Sequence, residues 1–551
     1  MNNFTHKSRH IKAPCVMACP AHIDIPRYAR LIAHSKFDEA LAVIREKIPF
    51  PSVCGRVCHS PCELTCNVNR MYPDEPVMIR MLKRFVADMD KGEWKSSLKT
   101  SKTIDTRIAI IGAGPAGLTA AYFLALKGYK VIVFEALQVA GGVLAMGIPE
   151  YKLPKSILNS EIQLIKDLGV TIKTNTPIGK DLTLKGIKDQ GYRVILIAIG
   201  AHLSSILNIK GQDLNGVMHG IEFLRRVNSG EKPFLGEKVV VISGDRQIWR
   251  SYTAIDSART ALRTGAKEVY LLCLHPEKNI PAIYRDEIEK GIQIQYAVSP
   301  VRISGKDGKV NGVECVETGG EVGHNFTIEV DTVIVAVDRL PDLSLLTEEC
   351  TDWISITEHG FINTDKEGFA NNELGIFAAG NVVGGSSSVI ESIASGRKAA
   401  SSIDKYLEGD GIIDKKLSLS DKGYAIRHLT VIGDRAEISR IPIEERLSGF
   451  QEVEMGLNED EAIKQANRCL RCDLPIMASP AKCYGCLMCM MRCSLAYEKA
   501  FNPSKARIKI ERLVDTDIEY MISFTDKCNN CGICVVSCPY DALIRENREV
   551  I

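Results

Sequence analysis

Cysteine is the residue type with the clearest chemical role in this chain, which contains 19 cysteines among 551 residues. Three of them, Cys273, Cys315 and Cys350, are scattered through the middle of the chain, where a small buried apolar side chain is the simpler interpretation. The other sixteen lie in two terminal blocks. In a reducing cytoplasm so many cysteines more often bind metal than form disulfides. The sixteen make four sets of four, the ligand number of a [4Fe–4S] cluster, and so predict four clusters. They are Cys15, Cys19, Cys54, Cys58, Cys62, Cys66, Cys469, Cys472, Cys483, Cys486, Cys489, Cys493, Cys528, Cys531, Cys534 and Cys538.

Two stretches near the C-terminal end, CYGCLMCMMRCS and CNNCGICVVSCP, both have the spacing C-x₂-C-x₂-C-x₃-C. In bacterial ferredoxins with two clusters, the first three cysteines of each repeat hold one cluster and the fourth crosses to the other. Zinc is the alternative metal, but zinc sites seldom show this eightfold double repeat. The pattern predicts one cluster on Cys483, Cys486, Cys489 and Cys538, and a second on Cys493, Cys528, Cys531 and Cys534.

A glycine-rich turn indicates a dinucleotide site. Gly112, Gly114 and Gly117 have G-x-G-x-x-G spacing between an apolar strand and an alanine-rich helix. Glycines there permit a tight turn, approach of the pyrophosphate and close packing of helix on strand. The helix N-terminus, at Pro115, then faces the phosphates with the positive end of its dipole. Glu135 closes the next strand, where a carboxylate can accept hydrogen bonds from the ribose hydroxyls.

Three kinds of element must position these residues. The first hundred residues show helical periodicity, short β-branched runs then alternate with helices, and the last 75 or so residues are cysteine-dense and rich in turns. The predicted fold is α/β, with a helical N-terminal iron–sulfur domain, two nested Rossmann-like dinucleotide-binding domains and a C-terminal α+β ferredoxin-like domain. The predicted segments are 1–100 (helical iron–sulfur), 101–230 (FAD-binding, first part), 231–340 (NAD(P)-binding-like), 341–410 (FAD-binding, second part), 411–475 (linker with a CxxC) and 476–551 (ferredoxin).

Several stretches occur in the order typical of one family: CPAHIDIPRYARLI, CGRVCHSPCELTC, GAGPAGL, GGVLAMGIPEYKLPK and GIFAAGN. They resemble the small subunit of glutamate synthase, the large subunit of electron-bifurcating transhydrogenases and the N-terminal half of dihydropyrimidine dehydrogenase. The resemblance covers about residues 10–405. It implies that NAD(P)H reduces FAD and that N-terminal clusters pass electrons to a partner subunit or domain.

The resemblance also implies which residues contact FAD. In this kind of flavoprotein the residue after the glycine of the closing segment contacts the ribityl chain, and it is usually Asp. Here Asn381 follows Gly380, which keeps a hydrogen-bonding group but removes a negative charge. The candidate FAD residues are Gly112, Gly114, Pro115, Ala116, Gly117, Glu135, Gly142, Gly380 and Asn381.

The cysteine pattern departs from the family in one respect. The family's early C-x-x-C pair is missing before Cys15, whereas a similar segment, EAIKQANRCLRCDLP, carries Cys469 and Cys472 in the linker. By resemblance, one N-terminal cluster is then held by Cys15, Cys66, Cys469 and Cys472, and the other by Cys19, Cys54, Cys58 and Cys62. A pair of free cysteines is the alternative for the displaced CxxC. Related proteins place Gln or Glu at Lys83 as a cluster ligand, and we expect Cys54 to fill that place because a protonated lysine is a poor ligand.

The second nucleotide turn is altered. Only Gly244 remains of the family's G-x-G-x-x-A turn, and the bulky Arg246, Ile248, Trp249 and Tyr252 follow it. The arginines that usually follow the next strand are replaced by the run Cys273-Leu274-His275-Pro276. The sequence therefore leaves NAD(P) binding open, and it predicts that NADPH reduces the flavin poorly.

These observations favour an FAD- and iron–sulfur-containing electron-transfer subunit of an oxidoreductase complex. An NAD(P)H:acceptor oxidoreductase of the glutamate synthase small-subunit type is the alternative, and a redox-silent scaffold is disfavoured by the FAD motif. The stretch YEKAFNPSKARIKIERL resembles ferredoxin-like subunits that serve tungsten or molybdenum aldehyde oxidoreductases, so such an enzyme or a ferredoxin is a candidate partner. The net charge of +1 and the short apolar runs predict no nucleic acid partner, no membrane span and a cytoplasmic location. No proton-transferring or nucleophilic catalytic residue is identified.

Overall fold

The computed structural model describes residues 12–98, 101–205, 207, 209–244, 252–274, 291–318, 324–371, 373–417, 433–513 and 520–545. The chain divides into two compact units. The first combines Met1–Leu98, Asp414–Ile438 and Gly456–Ile551, and the second combines Lys99–Ile413 and Ser439–Met455. Both cysteine blocks therefore belong to the first unit. The predicted linker is divided between the units, and the six-segment organisation stays a prediction.

The N-terminal part of the first unit is helical. Helix α2 (Ile25–Ala33) begins after Asp24, whose carboxylate accepts a hydrogen bond from the backbone N–H of Arg27 at 3.3 Å. Helix α4 (Pro51–Val57) packs closely on α6 (Ile79–Asp88), since a Cβ added at Gly55 would lie 2.6 Å from the Cα of Arg84. The helices are α1 (Pro14–Ala18), α2 (Ile25–Ala33), α3 (Phe37–Arg45), α4 (Pro51–Val57), α5 (Pro61–Leu64) and α6 (Ile79–Asp88).

The second unit alternates strands with helices. Its strands are β1 (Ile104–Ile111), β2 (Tyr129–Phe134), β3 (Thr171–Lys173), β4 (Val194–Ile197), β5 (Leu203–Ser204), β6 (Val217–His219), β7 (Lys238–Ser243), β8 (Glu268–Cys273), β9 (Ile292–Tyr296), β10 (Val298–Lys306), β11 (Lys309–Glu317), β12 (Asn325–Ile328), β13 (Thr332–Ala336), β14 (Arg339–Leu340), β15 (Phe369–Asn371) and β16 (Ile376–Ala378). Its helices are α7 (Pro115–Leu126), α8 (Val143–Met146), α9 (Lys155–Asp167), α10 (Leu184–Asp189), α11 (Gly220–Asn228), α12 (Tyr252–Arg263), α13 (Asn381–Gly384), α14 (Val389–Tyr406) and α15 (Ile443–Ser448).

Two sheets form the cores of the second unit. The first has the order β15-β16-β4-β1-β2-β3 and is parallel except for the β15–β16 pair. The second has the order β6-β13-β7-β8-β9 and is parallel throughout. Strand β16 comes late in the chain yet pairs with β4, so the second sheet is inserted within the first domain. The predicted pair of nested Rossmann-like domains is confirmed.

The C-terminal part of the first unit contains short elements. Helix α16 (Glu459–Asn467) begins with a capping box, in which the Glu461 backbone N–H donates to the Asn458 side chain and the Asn458 backbone N–H donates to the Glu461 carboxylate. Two antiparallel pairs, β17 with β20 and β18 with β19, surround the cysteines. The elements are α16 (Glu459–Asn467), α17 (Met488–Glu498), α18 (Ile533–Val536), β17 (Ile476–Ala478), β18 (Ile508–Arg512), β19 (Tyr520–Phe524) and β20 (Leu543–Arg545). Among the described residues, no helix is both long and apolar enough to cross a membrane.

Candidate functional site

The turn between β1 and α7 requires glycine at two positions for packing and leaves open space at a third. Gly112 has φ of +103°, and a Cβ there would lie 2.5 Å from the carbonyl oxygen of Ala198. A Cβ at Gly117 would overlap the carbonyl oxygen of Gly112. A Cβ at Gly114, in contrast, would meet no protein atom within 4 Å. The turn therefore holds helix against strand and keeps open space beside Gly114, as a pyrophosphate requires.

Glu135, at the end of β2, stabilises this turn through hydrogen bonds. One of its carboxylate oxygens accepts a hydrogen bond from the backbone N–H of Ala113 at 2.8 Å, and the other accepts one from Leu137 at 2.9 Å. The sequence predicted contact with ribose hydroxyls but did not reveal these backbone bonds. Each oxygen can accept a second hydrogen bond, so the residue fits both roles.

The second FAD segment packs directly on the glycine turn. Gly380 has φ of +78°, and a Cβ there would lie 3.0 Å from the Cβ of Ala116. A Cβ at Gly396 would overlap the carbonyl oxygen of Ala116, so α14 and α7 approach as closely as glycine allows. Gly142 has φ of +53° and faces Gly114, with its added Cβ 2.9 Å from that Cα. Pro115 takes the first position of α7. The fold thus brings the predicted FAD residues together.

Asn381 is held by two serine hydroxyls. The Ser387 hydroxyl and the Ser392 hydroxyl, the latter at 3.2 Å, both donate to the Asn381 Oδ1 atom. These bonds orient the side-chain amide.

The eight C-terminal cysteines line two separate cavities. One cavity, of about 330 Å³ including the part open to solvent, is lined by Cys483, Cys486, Cys489 and Cys538, and we call it the Cys483 site. The other, of about 270 Å³, is lined by Cys493, Cys528, Cys531 and Cys534, and we call it the Cys528 site. The crossed pairing predicted from the ferredoxin spacing matches the composition of these two cavities.

A third cavity joins cysteines from both ends of the chain. It measures about 400 Å³ including the part open to solvent and is lined by Cys15, Cys66, Cys469 and Cys472, and we call it the shared site. Pro26, Val68 and Ile79 are among the apolar residues that complete its wall. Burial raises the pKa of the Cys469 thiol to about 12 and that of the Cys472 thiol to about 11. Thiolates in such a site need positive partners, which the irons of a cluster supply.

Arg468 anchors the linker to the N-terminal helices. Its side chain is 2% exposed, and its guanidinium donates to the carbonyl oxygens of Gly433 at 2.8 Å, Pro76 at 2.9 Å and Glu75 at 2.9 Å. The Asn67 amide donates to the Cys472 Sγ atom at 3.2 Å. Sequence reasoning missed both residues. Their only sequence signal is that each directly adjoins a predicted ligand.

The remaining N-terminal cysteines surround a buried lysine. Cys19 follows α1, Cys54 lies on α4, Cys58 ends that helix and Cys62 lies on α5, and we call this group the Cys19 site. Lys83 on α6 is 4% exposed. Burial lowers its pKa, but the nearby thiolate charges, with Cys58 the strongest, raise it above the ordinary value overall. The direction of this shift favours the protonated side chain, which is a poor ligand, and so is in keeping with Cys54 as the fourth ligand.

Among the residues described, no group of three His, Cys, Asp or Glu side chains is arranged to hold a single metal ion. Three of the cavities are each lined by four cysteines, the ligand number of a [4Fe–4S] cluster.

The second nucleotide domain is described only in part. Its sheet and helix α12 are present, and a Cβ at Gly244 would lie 2.7 Å from the Cγ1 atom of Val337. Arg246, Ile248 and Trp249, as well as His275 and Pro276, lie outside the described residues. Tyr252 starts α12, with its ring 4.7 Å from the Lys152 Nζ atom. The prediction of an altered NAD(P) turn therefore stays a prediction.

Three protein families match parts of the chain. Residues 106–400 match the pyridine nucleotide-disulphide oxidoreductases. Residues 8–94 match domain II of dihydropyrimidine dehydrogenase, described as having a 4Fe–4S cluster, and residues 522–544 match the 4Fe–4S binding domain.

Three relatives illustrate the similarity. The beta subunit of the NADP(+)-dependent formate dehydrogenase of Moorella thermoacetica is 37% identical over 511 residues, covering 84% of this chain and 71% of that protein. The beta subunit of the NADPH-Fe(3+) oxidoreductase of Geobacter sulfurreducens is 36% identical over 523 residues, covering 85% and 76%. The small chain of the NADPH glutamate synthase of Escherichia coli is 31% identical over 431 residues, covering 72% and 88%.

Proposed function

Because the chain belongs to the pyridine nucleotide-disulphide oxidoreductase family and also matches two 4Fe–4S families, we propose that it carries one FAD and four [4Fe–4S] clusters. It is a flavin-dependent iron–sulfur oxidoreductase, an electron-transfer subunit. The single observation that carries the four-cluster proposal is the shared site, where four cysteines from both ends of the chain line one cavity. A reducing cytoplasm suits so many thiolate ligands.

When bound, FAD exchanges electrons in pairs or singly, and a [4Fe–4S] cluster exchanges them one at a time. Gly114 leaves room for the pyrophosphate, and the first backbone N–H groups of α7 face it. Glu135 holds the turn in shape and has lone pairs left for the ribose. Asn381, oriented by Ser387 and Ser392, keeps its amide N–H groups for the ribityl hydroxyls or a phosphate oxygen.

The sixteen cysteines divide into four ligand sets. The Cys483 and Cys528 sites take the crossed ferredoxin arrangement, and the shared site and the Cys19 site take the remaining eight. Each site includes at least one buried cysteine, which limits the access of water to the cluster that the site would hold. The buried members are Cys19, Cys54, Cys62, Cys472, Cys489, Cys493, Cys531 and Cys534. Arg468 and Asn67 position the displaced CxxC in the shared site.

The partner is proposed to be another subunit of an oxidoreductase complex. Two relatives are named as beta subunits, one of a formate dehydrogenase and one of an Fe(3+) oxidoreductase, which supports a role as a subunit. The ferredoxin-like segment between the two C-terminal cysteine repeats favours a tungsten or molybdenum enzyme, or a separate ferredoxin, as the partner.

A second candidate function is NADPH oxidation. The observation that favours it is that all three relatives have NADP(+) or NADPH in their names. The five-stranded parallel sheet with helix α12 also keeps the frame of a nucleotide-binding domain. The altered residues after Gly244 argue against binding of the NADPH pyrophosphate in the usual way, so we rank this function second.

The test is a count of cofactors in the purified chain. We expect one FAD and about 16 iron atoms, and the double variant Cys469→Ser/Cys472→Ser should lose about four irons while keeping both ferredoxin-type signals in electron paramagnetic resonance (EPR). The control variant Cys273→Ser/Cys315→Ser also removes two buried cysteines but should keep all the iron. Iron near eight per chain, stoichiometric zinc, or a double variant with unchanged iron would contradict the proposal.

A further inference from the structure

The shared site and the Cys528 site adjoin each other within the first unit. The Cys472 Sγ atom, a ligand position of the shared site, lies 3.4 Å from the carbonyl oxygen of Cys531, a ligand position of the Cys528 site. The Asn530 amide, next to Cys531, donates to the carbonyl oxygens of Cys472 at 3.2 Å and Leu474 at 2.7 Å. One short segment of chain therefore separates the two sets of sulfurs, and we call these contacts the junction.

Arg545 ties the two sides of the junction together. It is 1% exposed on β20, and its guanidinium donates to the carbonyl oxygens of Leu474 and, at 2.6 Å, Asn530. A Cβ added at Gly532, which has φ of +87°, would lie 2.5 Å from the Arg545 Nη2 atom, so glycine makes room for the guanidinium. Its Nε atom has no hydrogen-bond partner among the described residues. A buried cation with an uncommitted donor is costly unless negative charge lies nearby.

The negative charge is that of the two ligand sets. The guanidinium of Arg545 donates to the carbonyl oxygens of Leu474, two residues after Cys472, and of Asn530, directly before Cys531. Cys472 belongs to the shared site and Cys531 to the Cys528 site. Arg545 is thus one positive charge placed between the two sites.

We propose that single electrons pass between the N-terminal clusters and the ferredoxin-like region at this junction, and that Arg545 is its positioning residue. The proposal rests on the four-cluster function above. One electron leaves one site as one arrives at the other, and Arg545 exchanges no proton because a guanidinium stays protonated in proteins. Reduction adds negative charge to a cluster, so a fixed cation beside both sites raises both reduction potentials together and leaves the difference between them nearly unchanged.

The experiment is an EPR-monitored redox titration of the full-length protein. In Arg545→Met we expect two of the four cluster reduction potentials to become more negative. One belongs to the shared-site cluster, identified as the one whose signal is lost in Cys469→Ser/Cys472→Ser. The other belongs to the Cys528-site cluster. Arg545→Lys keeps a positive charge and should return both toward the wild-type values. The control is Arg507→Met, since Arg507 lines the Cys528 site and so lies on one side of the junction only. Arg507→Met should make only the reduction potential of the Cys528-site cluster more negative.

The outcomes separate this inference from the proposed function. About 12 irons in the wild-type protein would refute the shared cluster itself. About 16 irons with both potentials unmoved in Arg545→Met, or with only one moved, would overturn the role of Arg545 and leave the cluster count standing.

A second measurement applies if Arg545→Met does not assemble its clusters. In the fully reduced wild-type protein, adjacent clusters should broaden each other's EPR signals by spin coupling. Loss of the shared cluster in Cys469→Ser/Cys472→Ser should then sharpen the Cys528-site signal, and an unchanged signal there would overturn the junction.

Discussion

Replacing Arg468 with Met tests whether the linker is anchored as the structure indicates. The change removes a guanidinium that donates to three backbone carbonyls, those of Gly433, Pro76 and Glu75, and leaves these buried acceptors without that donor. A hydrogen bond from a charged donor contributes roughly 1.5–3 kcal/mol, and such contributions are not additive. We therefore expect the anchored segment to lose about 4 kcal/mol of local stability, in the range found when a buried charged partner is removed.

This loss has two measurable consequences. Since about 1.4 kcal/mol is a factor of ten, local opening of α16 and the CxxC should become roughly 10²–10³-fold more frequent. Hydrogen exchange followed by mass spectrometry should show correspondingly faster exchange in peptides that contain Cys469. The iron content should fall from about 16 toward about 12, because the shared site loses two of its four ligands for part of the time.

A matched control separates anchoring from a general effect of losing an arginine. Arg226→Met removes an exposed ion pair with Glu231, whose N–O distance is 2.7 Å, and such pairs contribute less than about 1 kcal/mol. Its iron content and exchange should match the wild type. If Arg468→Met behaves in the same way as this control, the anchoring argument is wrong.

Three further predictions concern the nucleotide domains. Gly114→Ala should leave the unfolding midpoint of the FAD-free protein unchanged, because the added Cβ meets no protein atom, but it should weaken FAD retention, because that Cβ fills the space left for the pyrophosphate. Gly117→Ala should lower both the unfolding midpoint and FAD retention. Equal FAD retention in Gly114→Ala and the wild type would contradict the open-space argument. NADPH should reduce the flavin slowly or not at all because the turn after Gly244 lacks its later small residues, and rapid bleaching in a stopped-flow trace at micromolar NADPH would instead favour the second candidate function. Burial lowers the pKa of Lys155 to about 8, below its ordinary value of 10.5, so the unfolded chain binds more protons between these values. Stability toward urea should therefore rise from pH 8 to pH 10 in the wild type, and this rise should be smaller in Lys155→Met.

The local spacing of cysteines and glycines in the sequence predicted the metal-binding and dinucleotide-binding motifs of this protein. The two C-x₂-C-x₂-C-x₃-C repeats and the G-x-G-x-x-G turn are short, so bond geometry and backbone sterics alone restrict what they can bind. The α/β class followed from the alternation of short β-branched strands with helices, and the resemblance to known flavoproteins implied the two nested dinucleotide-binding domains. Both are confirmed. The resemblance to known flavoproteins added the predicted set that joins Cys15 and Cys66 to Cys469 and Cys472.

Only the tertiary structure decided how distant segments meet. Nothing in the local sequence shows that Arg468 holds the linker against Glu75 and Pro76, or that Arg545 joins Leu474 to Asn530. Likewise Glu135 looked like a ribose ligand, while its backbone bonds to Ala113 and Leu137 depend on how β1, α7 and β2 assemble. The physical reason is that a buried charge takes its role from the partners that the fold brings to it, and those partners lie up to hundreds of residues away along the chain.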